Sequence, residues 1–236
     1  MSLQQLEKDL EKYRNPEKNV FMQRFFKTGK GQYGEGDIFL GLTVPQSRSI
    51  AAKYYDLPLS DIKKLLESPI HEKRLIALAI LVHNFQKGTE EKKKEIYDFY
   101  VGSLKHVNNW DLVDISADKI MGAFLFKKDS QTLYDLACSK DLWEKRVAII
   151  ATYYFIRNNE FDDTLKISEI LLHDSHDLIH KAVGWMLREV GKRDEKKEKE
   201  FLDKYAAVMP RTMLRYAIEK FSDAERKKYM NAKLSK

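Results

Sequence analysis

Apolar residues recur three and four positions apart along almost the whole chain, and no stretch alternates strictly between apolar and polar. Such spacing predicts helices, because a period near 3.6 collects these residues on one face, whereas a half-buried strand needs a period of two. Helices are expected around 2–14, 16–28, 45–55, 59–67, 70–86, 90–105, 109–123, 141–157, 176–190, 195–207 and 209–220. The start signals agree. Asn15-Pro16, Val44-Pro45 and Ser68-Pro69 put proline in or near a first turn, where its missing N–H costs nothing. Ser60, Thr89 and Asp141 are candidate N-caps. Short connections favour antiparallel neighbours, so the expected class is all-α.

A longer regularity overlies the helical one. The stretches HEKRLIALAILVHNF (71–85), LWEKRVAIIATYYFI (142–156) and LIHKAVGWMLREV (178–190) each place a basic residue near a helix start, followed by a small-apolar packing run. The slot falls at Arg74, Arg146 and Lys181, and less clearly at Arg215, in steps of 72, 35 and 34 residues, and Trp110 is the midpoint of the first step. Degenerate helix-pair repeats of about this length form solenoids. The expectation is a right-handed solenoid of HEAT-like antiparallel helix pairs in a single domain. It would hold N-terminal helices and a Gly-rich loop in 1–44 and the repeat stack in 45–236. Equivalent slots would line one groove with Arg74, Trp110, Arg146, Lys181 and Arg215.

Segment 29–41, GKGQYGEGDIFLG, holds five of the ten glycines and is expected to be a mobile loop. Gly29, Gly31 and Gly34 match the letters of a dinucleotide fingerprint, but no strand precedes them and no helix opens at the third glycine, so that chemistry is set aside. The run 192–200 (KRDEKKEKE) reads as a solvated face or turn, and the basic tail after Asp223 is expected to fray.

Composition narrows the class. A chain of 236 residues with 43% hydrophobic content can bury a sizeable core. Forty-two Lys and Arg against 36 Asp and Glu give a formal charge of +6, which permits a nucleic-acid partner without requiring one. The single cysteine, Cys138, sits in an apolar helical setting and cannot form an internal disulfide, which suits a reducing cytoplasm. The first residues lack the apolar core of a signal peptide, and no run is long enough to cross a bilayer. A cytoplasmic monomer with no membrane partner is expected.

Most catalytic chemistries find no constellation here. His173, His176 and His180 have helical spacing, yet no glutamate or cysteine completes a metal site, so capping and surface roles are expected and no metal is assigned. Cys138 has no histidine partner. What remains is aromatic, acidic and basic together. Trp110 and Asp114 lie one helical turn apart, and Lys181, Trp185 and Arg188 share a face farther along. Cations near helix starts, where backbone N–H groups also point outward, are natural phosphate ligands.

Four segments, FLGLTVPQSR (39–48), VNNWDLVD (107–114), LWEKRVAII (142–150) and IHKAVGWMLREVGKR (179–193), carry a resemblance over most of the chain. The chain resembles the DNA alkylation repair family of the AlkD type, DNA glycosylases built from HEAT-like repeats. The resemblance implies that Trp110, Asp114, Arg146 and Trp185 line a lesion-binding cleft, and that cationic N3- or N7-alkylated purines such as 3-methyladenine and 7-methylguanine are removed from duplex DNA without cofactor or metal. On this reading Asp114, Trp110 and Trp185 are catalytic. Arg146, Arg188, Lys181, Arg74, Arg48, Phe25 and Asn109 are the DNA-binding set. Two departures stand out: Phe25 (or Phe26) falls where such relatives carry tyrosine, and GQYGEGD (31–37) is an insertion relative to some members. They keep open a non-catalytic binder of damaged or branched DNA on the same fold. A protein-binding scaffold is a third reading, to be favoured if the groove is apolar or acidic.

Overall fold

The structure is a computed structural model and describes residues 2–232. The chain is all-α. Its elements are α1 (Leu3–Glu11), α2 (Pro16–Phe25), α3 (Val44–Ala51), α4 (Leu59–Leu66), α5 (His71–Lys87), α6 (Glu90–Gly102) and α7 (Trp110–Ser116). A 3-10 turn at Leu104–His106 precedes α7, and a π turn at Asp118–Gly122 leads into the short α8 (Ala123–Leu125). Then come α9 (Gln131–Ala137), α10 (Leu142–Ala151), α11 (Tyr153–Arg157), α12 (Asp162–Ile170), α13 (Asp177–Gly191), α14 (Glu195–Tyr205), α15 (Arg211–Ala217) and α16 (Asp223–Met230). One isolated parallel bridge joins Ile38 to Ile70.

The chain divides into two compact units, Met1–Ile120 and Met121–Lys236. In the first unit α5 is the central helix and packs against α3, α4, α6 and α7. Its middle, 75–82, is apolar all round, and Ile76, Leu78, Ile80 and Leu81 are fully buried. In the second unit α13 takes that place, against α10, α12, α14 and α15. A Cβ on Gly184 would meet the Met213 carbonyl oxygen at 2.4 Å, so glycine lets the α13 and α15 backbones approach.

Several expected boundaries move for local reasons. The 141–157 helix breaks at Thr152, whose buried hydroxyl donates to the Ile149 carbonyl at 2.7 Å. Asp141 caps α10 as expected, accepting from Trp143 and Glu144, and Thr89 caps α6. Ser60 does not cap α4, because the helix already includes Leu59 and its N-cap is Pro58. Helices α9, α12 and α16 have no counterpart among the expected elements. They are short and polar, and α16 buries only Tyr229. A reciprocal capping box between Ser222 and Glu225 starts α16 and orders a tail that was expected to fray. The last four residues, 233–236, lie outside those described.

The Gly-rich segment is tied down rather than loose. Glu72, in the first turn of α5 and 2% exposed, accepts backbone N–H bonds from Leu40, Gly41 and Leu42 at 2.9–3.2 Å. A carboxylate at a helix N-terminus is favoured by the helix dipole, so one side chain serves both α5 and the loop. Cys138 is exposed at the C-cap of α9, not in an apolar setting.

Candidate functional site

Trp110 opens α7, and the residues on either side of it set its position. Asn109 is the N-cap, accepts from the Trp110 N–H at 2.9 Å and is completely buried. Its amide donates to Asp37 at 3.2 Å. Asp111 accepts from the ring of His71 at 2.8 Å and Asp37 from its other nitrogen at 3.0 Å. Asp37 also takes the Arg74 guanidinium at 2.5 Å. All five side chains are buried, and the two carboxylates balance imidazolium and guanidinium. Burial alone would push the His71 pKa down. The Asp111 and Asp37 carboxylates outweigh it and raise the imidazole to about 9. Burial likewise pushes Asp37 up, and the His71 hydrogen bond and Arg74 charge bring it below the ordinary carboxylate value.

Gly34 admits the loop that delivers Asp37. A Cβ there would lie 2.4 Å from the Phe26 carbonyl oxygen, while the Gly34 N–H bonds to the Lys27 carbonyl at 3.0 Å. Above this ionic base lies an aromatic stack. The Phe39 and His71 rings are 4.6 Å apart, Phe26 and Phe39 5.0 Å, and Phe26 and Trp110 5.2 Å, the last pair inclined by only 16°. Phe25 meets Trp110 edge-on at 5.8 Å and stacks on Phe21 at 6.0 Å. Helix α2 buries no residue of its own; Phe21 is 66% and Phe25 52% exposed. Asp114 follows Trp110 by one turn, is half-buried and is itself engaged by a neighbouring group. The first unit therefore offers an indole with a carboxylate beside it and two exposed phenyl rings at its edge.

The second unit has its own cluster. The Trp185 indole donates to Glu189 at 3.1 Å, and its ring centroid lies 5.9 Å from that of Tyr153. The Arg157 guanidinium stands over the rings of Tyr153 and Tyr154 at 4.9 and 5.5 Å. Arg188 pairs with Glu219, and Lys181 pairs with Asp177 at 2.8 Å. His176 caps α13 by accepting from Leu178, and the ring of His180 bonds to the Asp174 carbonyl. Among the described residues no three His, Cys, Asp or Glu side chains are grouped to hold a metal ion.

Three of the expected DNA ligands are buried and make internal contacts. Arg74, 3% exposed, is spent on Asp37 and the Ser68 carbonyl. Asn109 faces the loop rather than solvent. Arg146, 5% exposed, donates to the Leu178 carbonyl at 2.7 Å. The repeated cation near a helix start thus has a packing reason in two cases: a guanidinium ties its helix to a neighbouring backbone carbonyl. Arg48, Lys181, Arg215 and Phe25 remain at least partly exposed. Sequence reasoning missed Asp37, His71, Asp111 and Tyr153, and named Phe26 only as the alternative to Phe25. Of these, Asp111 carried a usable signal, as a second acid beside the capped tryptophan. Asp37 carried none, because its partners His71, Arg74 and Asn109 come from 34 to 72 positions away.

No curated protein matches the chain in sequence. The chain is similar in fold to several solved structures. One, a predicted DNA alkylation repair enzyme from Enterococcus faecalis, gives TM-score 0.67 and 17% identity over 89% of this chain and 97% of that one. AlkD2 from Streptococcus mutans gives TM-score 0.54 and 18% identity over 87% and 99%. The protein smu.31 from Streptococcus mutans UA159 gives 0.51 and 17% over 94% and 99%. A model of the family described as DNA alkylation repair enzyme matches residues 6–221. With that match spanning nearly all of it, this chain belongs to the DNA alkylation repair enzyme family.

Proposed function

We propose that the protein is a DNA N-glycosylase that excises cationic N3- or N7-alkylated purines from duplex DNA. The observation that carries this reading is Trp110, set on a stacked aromatic base one turn before Asp114, in a chain of the alkylation repair family. An alkylated purine cation leaves as a neutral base, because the electron pair of the broken C1′–N bond goes to the ring. No general acid is then required. The deoxyribose becomes oxocarbenium-like, and the Asp114 carboxylate opposes that charge and orients the water that adds to C1′. The proton of that water passes to the carboxylate or to solvent, and the product is an abasic sugar. An indole face attracts a cation by about 0.5–2 kcal/mol, which gives Trp110 its part beside Asp114; the family resemblance assigns Trp185 a catalytic part as well. Arg48, Lys181 and Arg188 are the proposed phosphate ligands. Arg146 fixes the first turn of α13, the helix that carries Lys181, Trp185 and Arg188.

The test is release of 7-methylguanine from methylated duplex DNA by the wild type and by Asp114→Asn. The wild type is expected to release base, and the variant to lose about 10²-fold or more in rate. A wild type that binds duplex DNA and releases nothing would assign the non-catalytic reading instead. An Asp114→Asn variant as fast as wild type would remove the carboxylate from the mechanism.

A further inference from the structure

Between α3, α5 and the end of α7, within the first unit, lies a cavity of about 300 Å³ whose wall includes Arg48, Tyr55, His83, Gln86, Ile115 and Lys119. Every charged side chain in its wall is basic, and no carboxylate lines it. Arg48 is exposed and has no ion-pair partner among the described residues. Lys119 is held from behind, since its ammonium donates to the Ile115 carbonyl and to Asp118, both at 3.1 Å. An ammonium has three donors, so one remains for the cavity. The rings of Tyr55 and His83 stack with centroids 3.4 Å apart, and the Asn84 amide holds the Tyr55 carbonyl at 2.9 Å. The wall therefore presents a guanidinium, a pre-positioned ammonium, an imidazole, a phenol and an amide. That donor set fits an anion with several acceptor oxygens.

We propose that this cavity receives a backbone phosphodiester of the bound DNA strand, next to the nucleotide at Asp114. The inference rests on the DNA-acting reading above. Ile115 and Lys119 follow Asp114 by one and five residues on the same helical run, axial distances of roughly 1.5 and 7.5 Å at about 1.5 Å per residue. A strand whose sugar lies at Asp114 thus has its neighbouring phosphate within reach of Lys119. This separates a strand phosphate from a free phosphate ion, for which proximity to Asp114 would have no meaning. It also sets Lys119, His83 and Tyr55 beside Arg48, which the resemblance placed in the DNA-binding set.

The experiment measures fluorescence anisotropy of a labelled undamaged duplex against the full chain, across about 50 to 200 mM salt. Each lost phosphate contact flattens the slope of log K against log salt by about 0.9. Arg48→Ala and Lys119→Gln are each expected to do so, with Lys94→Ala, an exposed cation paired with Asp98 outside the cavity, leaving the slope unchanged. Lys119→Gln keeps a side-chain donor for the Ile115 carbonyl, which guards against loss of fold. A second arm follows the His83 ring protons by NMR during titration with a thymidine dinucleotide, a single phosphodiester, and separately with inorganic phosphate. The dinucleotide is expected to shift them in the wild type and not in Arg48→Ala.

Duplex binding with slopes unaltered in both variants overturns the inference and leaves the DNA reading standing. A wild type that binds no duplex defeats the DNA reading, and the phosphodiester assignment falls with it; a His83 shift by inorganic phosphate would then mark a small-anion site instead. Shifts by inorganic phosphate as large as those by the dinucleotide also overturn the assignment to a DNA strand.

Discussion

Phe25 shows what one residue decides. It stands edge-on to Trp110 and half in solvent, where the resemblance leads one to expect tyrosine. Its ring is half in solvent, so Phe25→Tyr is expected to change stability by less than about 0.5 kcal/mol. Release of 7-methylguanine by this variant should equal or exceed that of the wild type; a slower variant would show that the exposed phenyl edge itself contacts DNA. Phe26, one position on, is different. It is stacked between Trp110 and Phe39, and Phe26→Ala should cost about 3–5 kcal/mol, read as a fall in thermal midpoint. Adjacent phenylalanines, alike in the sequence, are separated only by the turn that ends α2 and sends one ring outward and one inward.

At the scale of elements, the N-terminus of α5 does most to organise the first unit. Glu72→Ala would leave the N–H groups of Leu40, Gly41 and Leu42 without their buried acceptor, at an expected cost of about 3–5 kcal/mol. His71, one residue earlier, makes the same helix start sensitive to pH. Its pKa rises from 6.5 to about 9 on folding, so its contribution is fully present below pH 6.5 and is lost as pH rises through 9. Thermal melts should therefore show a decline over that window, on the order of 3 kcal/mol. His71→Gln should flatten it. Asp37 acts in the opposite direction: its contribution is present above 3.8 and is lost as pH falls through its lowered folded value. In the second unit the sign is reversed for Glu198, which α14 buries against Gly191. Burial, with Glu195 adding to it, pushes this carboxyl from 4.5 up to about 8. Its cost to stability grows from pH 4.5 to pH 8, so Glu198→Gln should raise the melting temperature at pH 8 and not at pH 4.

For the molecule as a whole, the proposed chemistry carries a selectivity. With a carboxylate and indoles but no proton donor assigned to the leaving group, only bases that already carry positive charge should be released. Duplexes with 7-methylguanine or 3-methyladenine are expected to yield free base, and duplexes with neutral uracil or hypoxanthine are not. Comparable release of a neutral base would require an acid that this reading does not contain. Much of the molecule was legible beforehand. The 3.6-residue period identified the all-α class and most helices, and the motifs around Trp110 and Trp185 identified the family, because both signals are local in the chain. Short polar helices such as α12 and α16 escaped, since packing and caps rather than periodicity form them. The fate of the repeated cations could not be read either. Whether Arg74 meets a phosphate or a carboxylate depends on Asp37, which a glycine-rich loop brings in from 37 residues away. The sequence by itself determined which residues were available as cations, acids and rings and on which helix each would ride. Tertiary structure alone decided which of them were buried and neutralised by one another, because burial and charge pairing are properties of neighbours in space.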